Sequence, residues 1–300
     1  MQKNYFKRMR YFFVAFLAVL LFFSCSKEPI ETSFVHIDKF DFTSPSGANS
    51  AAIVDAWVYV DGVFLGGFPL PCDIPVRAEG KVNLKVYPGI RELGPNALEL
   101  FKYVYPAIYF MYEPYNNTID LKYGETTTIN PVTQYVANST VTFLEDFERN
   151  SHILNVDVDK NTNTFVAFTN AYYKNGTKGG IIKLDTTNNV CTVATDLFYS
   201  IPTNNTLTYI ELDYIGNSIQ VGLTGVDDKT GQKSTVIEYV LPTRSEWTKS
   251  YINITQLLNT SQLSKYQVVL NSLMPLDANG KYAALESYVA IDNLKLVHLN

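Results

Sequence analysis

The sequence predicts an all-β fold arranged as two β-sandwich units behind an N-terminal leader. Three observations carry this. Tyr and Phe number 21 and 18 in 300 residues, and with Val, Ile and Thr they suit a pleated, half-buried surface. Apolar residues alternate with polar ones or gather in short runs between Gly, Asn and Pro turns. Helical periodicity is scarce, the best candidate being Thr255 to Leu263, with Thr255 or Asn253 as its cap and Leu257 and Leu258 as its apolar face. No period of about 20–50 residues repeats, which excludes propellers and solenoids.

Residues 1–24 read as an export leader. Lys3, Lys7, Arg8 and Arg10 form a basic start, and Tyr11 to Phe23 is an unbroken apolar run of 13 residues. That suits a signal-peptide core and is short of the ~20 residues a membrane span needs. Leu21-Phe22-Phe23-Ser24-Cys25 resembles the lipobox of exported lipoproteins of the Bacteroidota type, although Phe23 stands where a small residue is usual. The resemblance implies cleavage before Cys25, a triacylated cysteine and anchoring to the outer membrane, on its periplasmic or its outer face. More than one chain is needed for stable anchoring, since each buried CH₂ contributes only about 0.8 kcal/mol. Residues 25–33 then form a polar tether.

Removing the leader leaves 276 residues and a net charge of −9. At about 150 residues per domain this suggests two units, placed at 34–136 and 139–300. The acidic balance argues against a nucleic-acid partner. Cys72 and Cys191 lie far apart in sequence, so no disulfide framework is expected.

In the first unit, Ala56 to Val60 and Val63 to Phe68 flank Asp61-Gly62, a pair suited to a type I′ hairpin turn. Lys81 to Val86 alternates, with Val82, Leu84 and Val86 inward. Turns are expected at Pro88-Gly89 and Tyr123-Gly124. The run Trp57 to Gly66, followed by Pro69, Pro75-Val76 and Gly80 to Val86, resembles the PEGA-type surface β-sandwich over about 35 residues, though it is longer between Gly66 and Val76. The resemblance implies an extracytoplasmic interaction module and brings no catalytic residues.

In the second unit, strands are expected at Val141–Glu148, Thr164–Phe168, Gly180–Asp185, Val190–Ala194, Leu207–Tyr214, Ser218–Leu223, Thr235–Leu241, Trp247–Ile254, Tyr266–Leu270 and Tyr288–Leu296. About ten strands at this spacing fit a β-sandwich. The Asp146-Phe147-Glu148 opening, the Trp247 to Thr255 strand, the short helix and the closing Tyr288 to Leu296 strand together resemble the jelly rolls of carbohydrate-binding modules. That resemblance implies glycan binding. It also implies a structural Ca²⁺ shared by Glu148 and Asp292, with Asp146 nearby, because a hard cation collects several oxygens.

Other constellations point to plainer roles. Asp157 to Asn163 opens like an EF-hand loop but has Thr162 at the sixth position and Phe168 at the twelfth, where Gly and Glu are required. It reads as a polar turn. The aromatics Phe101, Tyr103, Tyr105, Tyr109, Phe110, Tyr112 and Tyr115 read mainly as core, with sugar stacking or a protein interface as the alternative. His36, His152 and His298 have no metal-ligand spacing. Nucleophile elbow and phosphate loop are both missing from the sequence. The expectation is a non-catalytic, membrane-anchored protein whose second unit binds a glycan. The alternative is an accessory subunit whose first unit docks on an envelope protein.

Overall fold

The computed structural model of the chain describes residues 31–44, 50–93, 104–261 and 263–300. Cys25, the leader, Phe101 and Tyr103 lie outside the described residues. Among those described, no helix is long and apolar enough to cross a membrane.

Among the described residues the first unit holds ten strands: β1 (Ser33–Ile37), β2 (Asp41–Phe42), β3 (Asp55–Val60), β4 (Val63–Pro69), β5 (Cys72–Val76), β6 (Gly80–Leu93), β7 (Val104–Ile108), β8 (Tyr115–Leu121), β9 (Thr126–Ile129) and β10 (Val132–Thr133). One layer is the sheet β5-β1-β9. The other is β4-β3-β6, with β7 and β8 also paired to β6. Val35, Ile37 and Ile74 of the first layer meet Val58, Leu84 and Val86 of the second in a closed core.

Local chemistry accounts for two turns and corrects a third. Asp61 and Gly62 take φ of 48° and 81°, as a type I′ hairpin requires. Gly124 takes φ of 76°, and the turn there carries the chain from β8 in one layer to β9 in the other. Pro88-Gly89 does not turn the chain, because β6 runs straight through it. Gly89 is needed for close packing instead: a Cβ there would lie 2.7 Å from Asp55 Cβ and 2.8 Å from Trp57 Cδ1. The indole lies over the bare backbone of the neighbouring strand.

The second unit holds β11 (Ser139–Glu145), β12 (Val156–Asp157), β13 (Ala167–Thr169), β14 (Gly179–Asp185), β15 (Val190–Ala194), β16 (Thr208–Gly216), β17 (Ile219–Val226), β18 (Lys233–Leu241), β19 (Arg244–Asn253), β20 (Lys265–Leu273) and β21 (Glu286–Leu299). Its helix, α1 (Thr255–Ser261), follows β19. Asn253 Oδ1 accepts the Thr255 amide at its start, and Leu257 and Leu258 are buried. The strands form a jelly-roll-like sandwich. One antiparallel sheet runs β13-β14-β21-β16-β19, with β11 beside β21, and faces a second that runs β12-β15-β20-β17-β18. Phe147, Ile210, Leu212, Val221, Val268 and Leu270 fill the space between.

The two units share a sheet. Beyond Gly89, β6 reaches β19 and pairs with it in parallel, Glu92 opposite Tyr251 and Leu93 opposite Ile252. A small core caps this seam, in which Ile90, Tyr109, Met111 and Tyr112 of the first unit cover Tyr209, Tyr251 and Val297 of the second. Tyr109 and Tyr112 are thus core, as the sequence suggested, whereas Tyr105 and Phe110 are exposed.

Candidate functional site

The side of the first sheet turned away from the sandwich core is occupied by protein. Along β16, Ile210, Leu212 and Tyr214 face the core, so Glu211 and Asp213 point the other way. Both are fully buried under the first unit. Glu211 accepts hydroxyl protons from Tyr109 at 2.6 Å and Tyr135 at 2.8 Å, and pairs with Lys249 at 3.2 Å. Burial alone would push its carboxyl up. Lys249, Lys295 and the two hydroxyls hold it below the ordinary range. Asp213 accepts from Ser50 and from Asn293 Nδ2 at 2.9 Å. Around Glu211 and Asp213 this surface is an internal joint, closed to solvent.

The outer face of the second sheet is different. Cys191, Val193, Ile219, Val221, Val268 and Leu270 point into the core, so their alternates on β15, β17 and β20 point out. Register sets those alternates in rungs. Thr192, Asn271 and Gln220 stand side by side, then Ala194, Val269 and Gly222. The third rung is Gln267, Thr224 and Thr235. In the first rung Thr192 Oγ1 donates to Asn271 Oδ1 at 2.8 Å, and Asn271 Nδ2 donates to Gln220 Oε1 at 2.6 Å. In the third, the hydroxyls of Thr224 and Thr235 lie 2.7 Å apart, and Gln267 Nε2 donates to the Thr195 carbonyl.

This face is recessed. Asn271, Gln267 and Thr224 are only 8%, 6% and 8% exposed, and Val269 between them is fully buried. A bulge between Val221 and Gly222 draws the β18 backbone close, so a Cβ at Gly222 would run into the Val236 carbonyl oxygen. The rungs carry amide and hydroxyl groups and no formal charge. Gln220 Nε2 has no partner among the described residues. Such a face can exchange hydrogen bonds with a neutral, hydroxyl-rich ligand laid across the strands.

The residues expected from the sequence fall elsewhere. Glu148 Oε1 accepts the amides of Thr177 and Lys178 at 2.7 and 2.8 Å, and its Oε2 accepts the Thr177 hydroxyl at 2.8 Å. These bonds, the Thr177 amide foremost, hold its carboxyl below the usual range. Asp292 Oδ2 accepts the amides of Lys174 and Asn175 at 2.7 and 3.0 Å, and its Oδ1 accepts Asn293 N at 2.7 Å. Burial pushes the Asp292 carboxyl up to about 6, with Asp213 adding to the rise. The two carboxylates therefore brace one loop, 174–178, at adjacent points. Among the described residues no group of three or more His, Cys, Asp and Glu could hold a metal ion. Asp157, Asp159 and Asn161 form successive turns on the amides of Lys160, Asn161 and Asn163. His36 pairs with Asp73 at 2.8 Å, and His152 Nε2 sits 2.9 Å from the Val166 carbonyl oxygen. The rung residues went unnoticed in the sequence. Their only trace there is polar residues at alternate places in apolar strands, as in Tyr266-Gln267-Val268-Val269-Leu270-Asn271.

No protein-family model matches the chain, and no curated protein matches it significantly. Solved structures do resemble it. One is the C-terminal family 22 carbohydrate-binding module of Xyn10B from Clostridium thermocellum, at 12% identity and a TM-score of 0.37, covering 55% of this chain and 98% of that one. Another is the family 11 carbohydrate-binding module of the cellulase Lic26A-Cel5E from the same organism, at 14% identity and a TM-score of 0.37, covering 54% and 95%. A third is a xylan-binding domain of family 22, at 11% identity and a TM-score of 0.35, covering 53% and 95%.

Proposed function

We propose that this chain is a non-catalytic, glycan-binding protein of the cell envelope, held to the outer membrane by lipid on Cys25. Its ligand lies on the recessed face of the second sheet. The observation that carries the reading is the pair of uncharged rungs, Thr192–Asn271–Gln220 and Gln267–Thr224–Thr235, on either side of the small apolar rung. Hydroxyls and amides placed this way suit sugar hydroxyls, with the more open Thr192, Gln220 and Thr235 as the points of contact. Electrophoresis of the mature protein through gels containing soluble polysaccharides tests it. At least one neutral polysaccharide is expected to retard the protein, and Gln220→Ala with Asn271→Ala to restore its mobility. Unretarded migration in every polysaccharide would overturn the reading.

A specific observation favours a second reading, an accessory subunit docked through the first unit. On the outer face of β3, β4 and β6 the rings of Trp57, Phe64, Tyr59, Tyr87 and Phe110 form a row with successive centroid separations of 5.9, 5.0, 5.8 and 6.0 Å. Phe64 and Phe110 are 47% and 49% exposed. Exposed aromatic surface of this extent marks interaction sites. Crosslinking in intact cells, with Phe64→Ser as control, tests it. A protein adduct lost in that variant supports docking, and no adduct counts against it.

A further inference from the structure

At one end of the seam, β6 of the first unit and β19 of the second enclose a cleft of about 550 Å³. Its apolar wall includes Trp247, Leu93 and Pro242, and its charged wall is Arg91, Arg244 and Lys249. Among the described residues neither Asp nor Glu lines it, although acids outnumber bases in the whole chain by 29 to 24. The bias is therefore local.

The cations differ in what they can offer. Lys249 is held from behind by Glu211 at 3.2 Å and Asp213 at 3.7 Å, with its side chain 3% exposed, so it serves the joint. Arg91 is gripped through both amino groups by Asp55, one contact being 3.1 Å, and keeps 43% of its side chain exposed. That grip fixes the guanidinium in place. Arg244 is exposed, shares a hydrogen bond with the Tyr214 hydroxyl, and has no carboxylate partner among the described residues. Trp247 is half-buried, and no ring stacks on it among the described residues. An indole beside a fixed guanidinium and a second one that no carboxylate neutralises is suited to a ring that also carries a negative charge.

We infer that this cleft binds a carboxylated sugar residue, with the ring on Trp247 and the carboxylate at Arg244. The site is separate from the recessed face and stands whether or not that face takes a glycan. Because both units line it, bound ligand also favours their docked state.

Calorimetric titration of the mature protein with digalacturonate, cellobiose and inorganic phosphate, at low salt, tests this. Digalacturonate is expected to bind at one site per chain, and cellobiose to give no heat at that site. Arg244→Gln should weaken digalacturonate by about tenfold, as loss of a charge-assisted hydrogen bond does. Trp247→Ala should weaken it similarly and Trp247→Phe less, which separates stacking from misfolding. Asn271→Ala should leave it unchanged while altering polysaccharide retardation, so the two readings fail separately. The inference is overturned if digalacturonate gives no heat, if phosphate, or cellobiose in the Asn271→Ala variant, binds as tightly, if Arg244→Gln matches the parent, or if Asn271→Ala abolishes digalacturonate binding.

Discussion

Tyr109 of the first unit donates its hydroxyl proton to Glu211 of the second at 2.6 Å, with neither side chain open to water. The acid is also bound by Tyr135 and paired with Lys249. Removing one member of a buried charge cluster leaves the others uncompensated, which costs roughly 3–5 kcal/mol. Glu211→Gln is therefore expected to lower the denaturation midpoint steeply. Tyr109→Phe, which deletes one hydrogen bond to a charged group, should cost about 1.5–3 kcal/mol. Urea titrations of the two variants check the order. Equal, small effects would mean that the joint contributes little.

The same cluster gives a signature in alkali. Burial brings the Lys295 ammonium down to about 8, against the attraction of Glu211. Its ordinary value is about 10.4, so between those limits the unfolded chain binds more protons. Stability from this group then rises with pH from about 8 towards 10. Above about 10 the buried tyrosines, whose folded values are raised, work in the opposite direction. Lys295→Met is expected to flatten the rise between pH 8 and 10 in a series of urea titrations.

Asp292 gives the complementary signature in acid. Its folded value of about 6 lies above the ordinary ~3.9, so its ionisation opposes folding above pH 6, and its contribution improves as pH falls from about 6 to 4. Glu148, held low, contributes above its unfolded value and loses that contribution as pH falls through its folded value. Asp292→Asn should remove the first effect. A calcium clasp on these two residues is tested in the same variant. A melt that rises in millimolar Ca²⁺, falls in chelator, and does neither after Asp292→Asn would place a cation there. Asp157→Ala serves as the control. With every carboxylate oxygen of the pair already accepting a hydrogen bond, the expected result is a melt that ignores calcium.

Two further tests concern organisation. Residues 139–300 hold every member of the large core except Leu93. As a fragment they are expected to melt cooperatively, but at a lower temperature than the full chain, because Tyr209, Tyr251 and Val297 lose their cover. A fragment with no cooperative melt would mean one inseparable folding unit. For the anchor, Cys25→Ala should abolish incorporation of labelled fatty acid and release the protein from membranes. Labelling at the parental level would sink the lipoprotein assignment.

Local pattern was legible where local chemistry decides structure. Asp61-Gly62 announced its hairpin, and the alternation of Val82, Leu84 and Val86 announced the inward face of β6. Pro88-Gly89 misled because the same residue types serve two purposes. Here glycine makes room for the Trp57 ring inside a strand, a demand set by residues 32 positions away in sequence. The seam was invisible for a similar reason. Nothing in Glu92-Leu93 or Tyr251-Ile252 states that they will pair. The recessed face needed the register of three strands before Thr192, Asn271 and Gln220 became neighbours.

The parallel contact of β6 with β19 has a mechanical consequence. In the proposed reading, with a tether at the N-terminus and a polymer gripped by the far unit, the protein is a link under tension. A pull crosses between the units along the backbone at 136–139 and, in parallel with it, through two register pairs, Glu92 with Tyr251 and Leu93 with Ile252, and the tyrosine cap beside them. The buried acid and its lysines act as a latch that holds the seam shut beside that covalent crossing. The link is expected to part first at that joint, with each sandwich left folded.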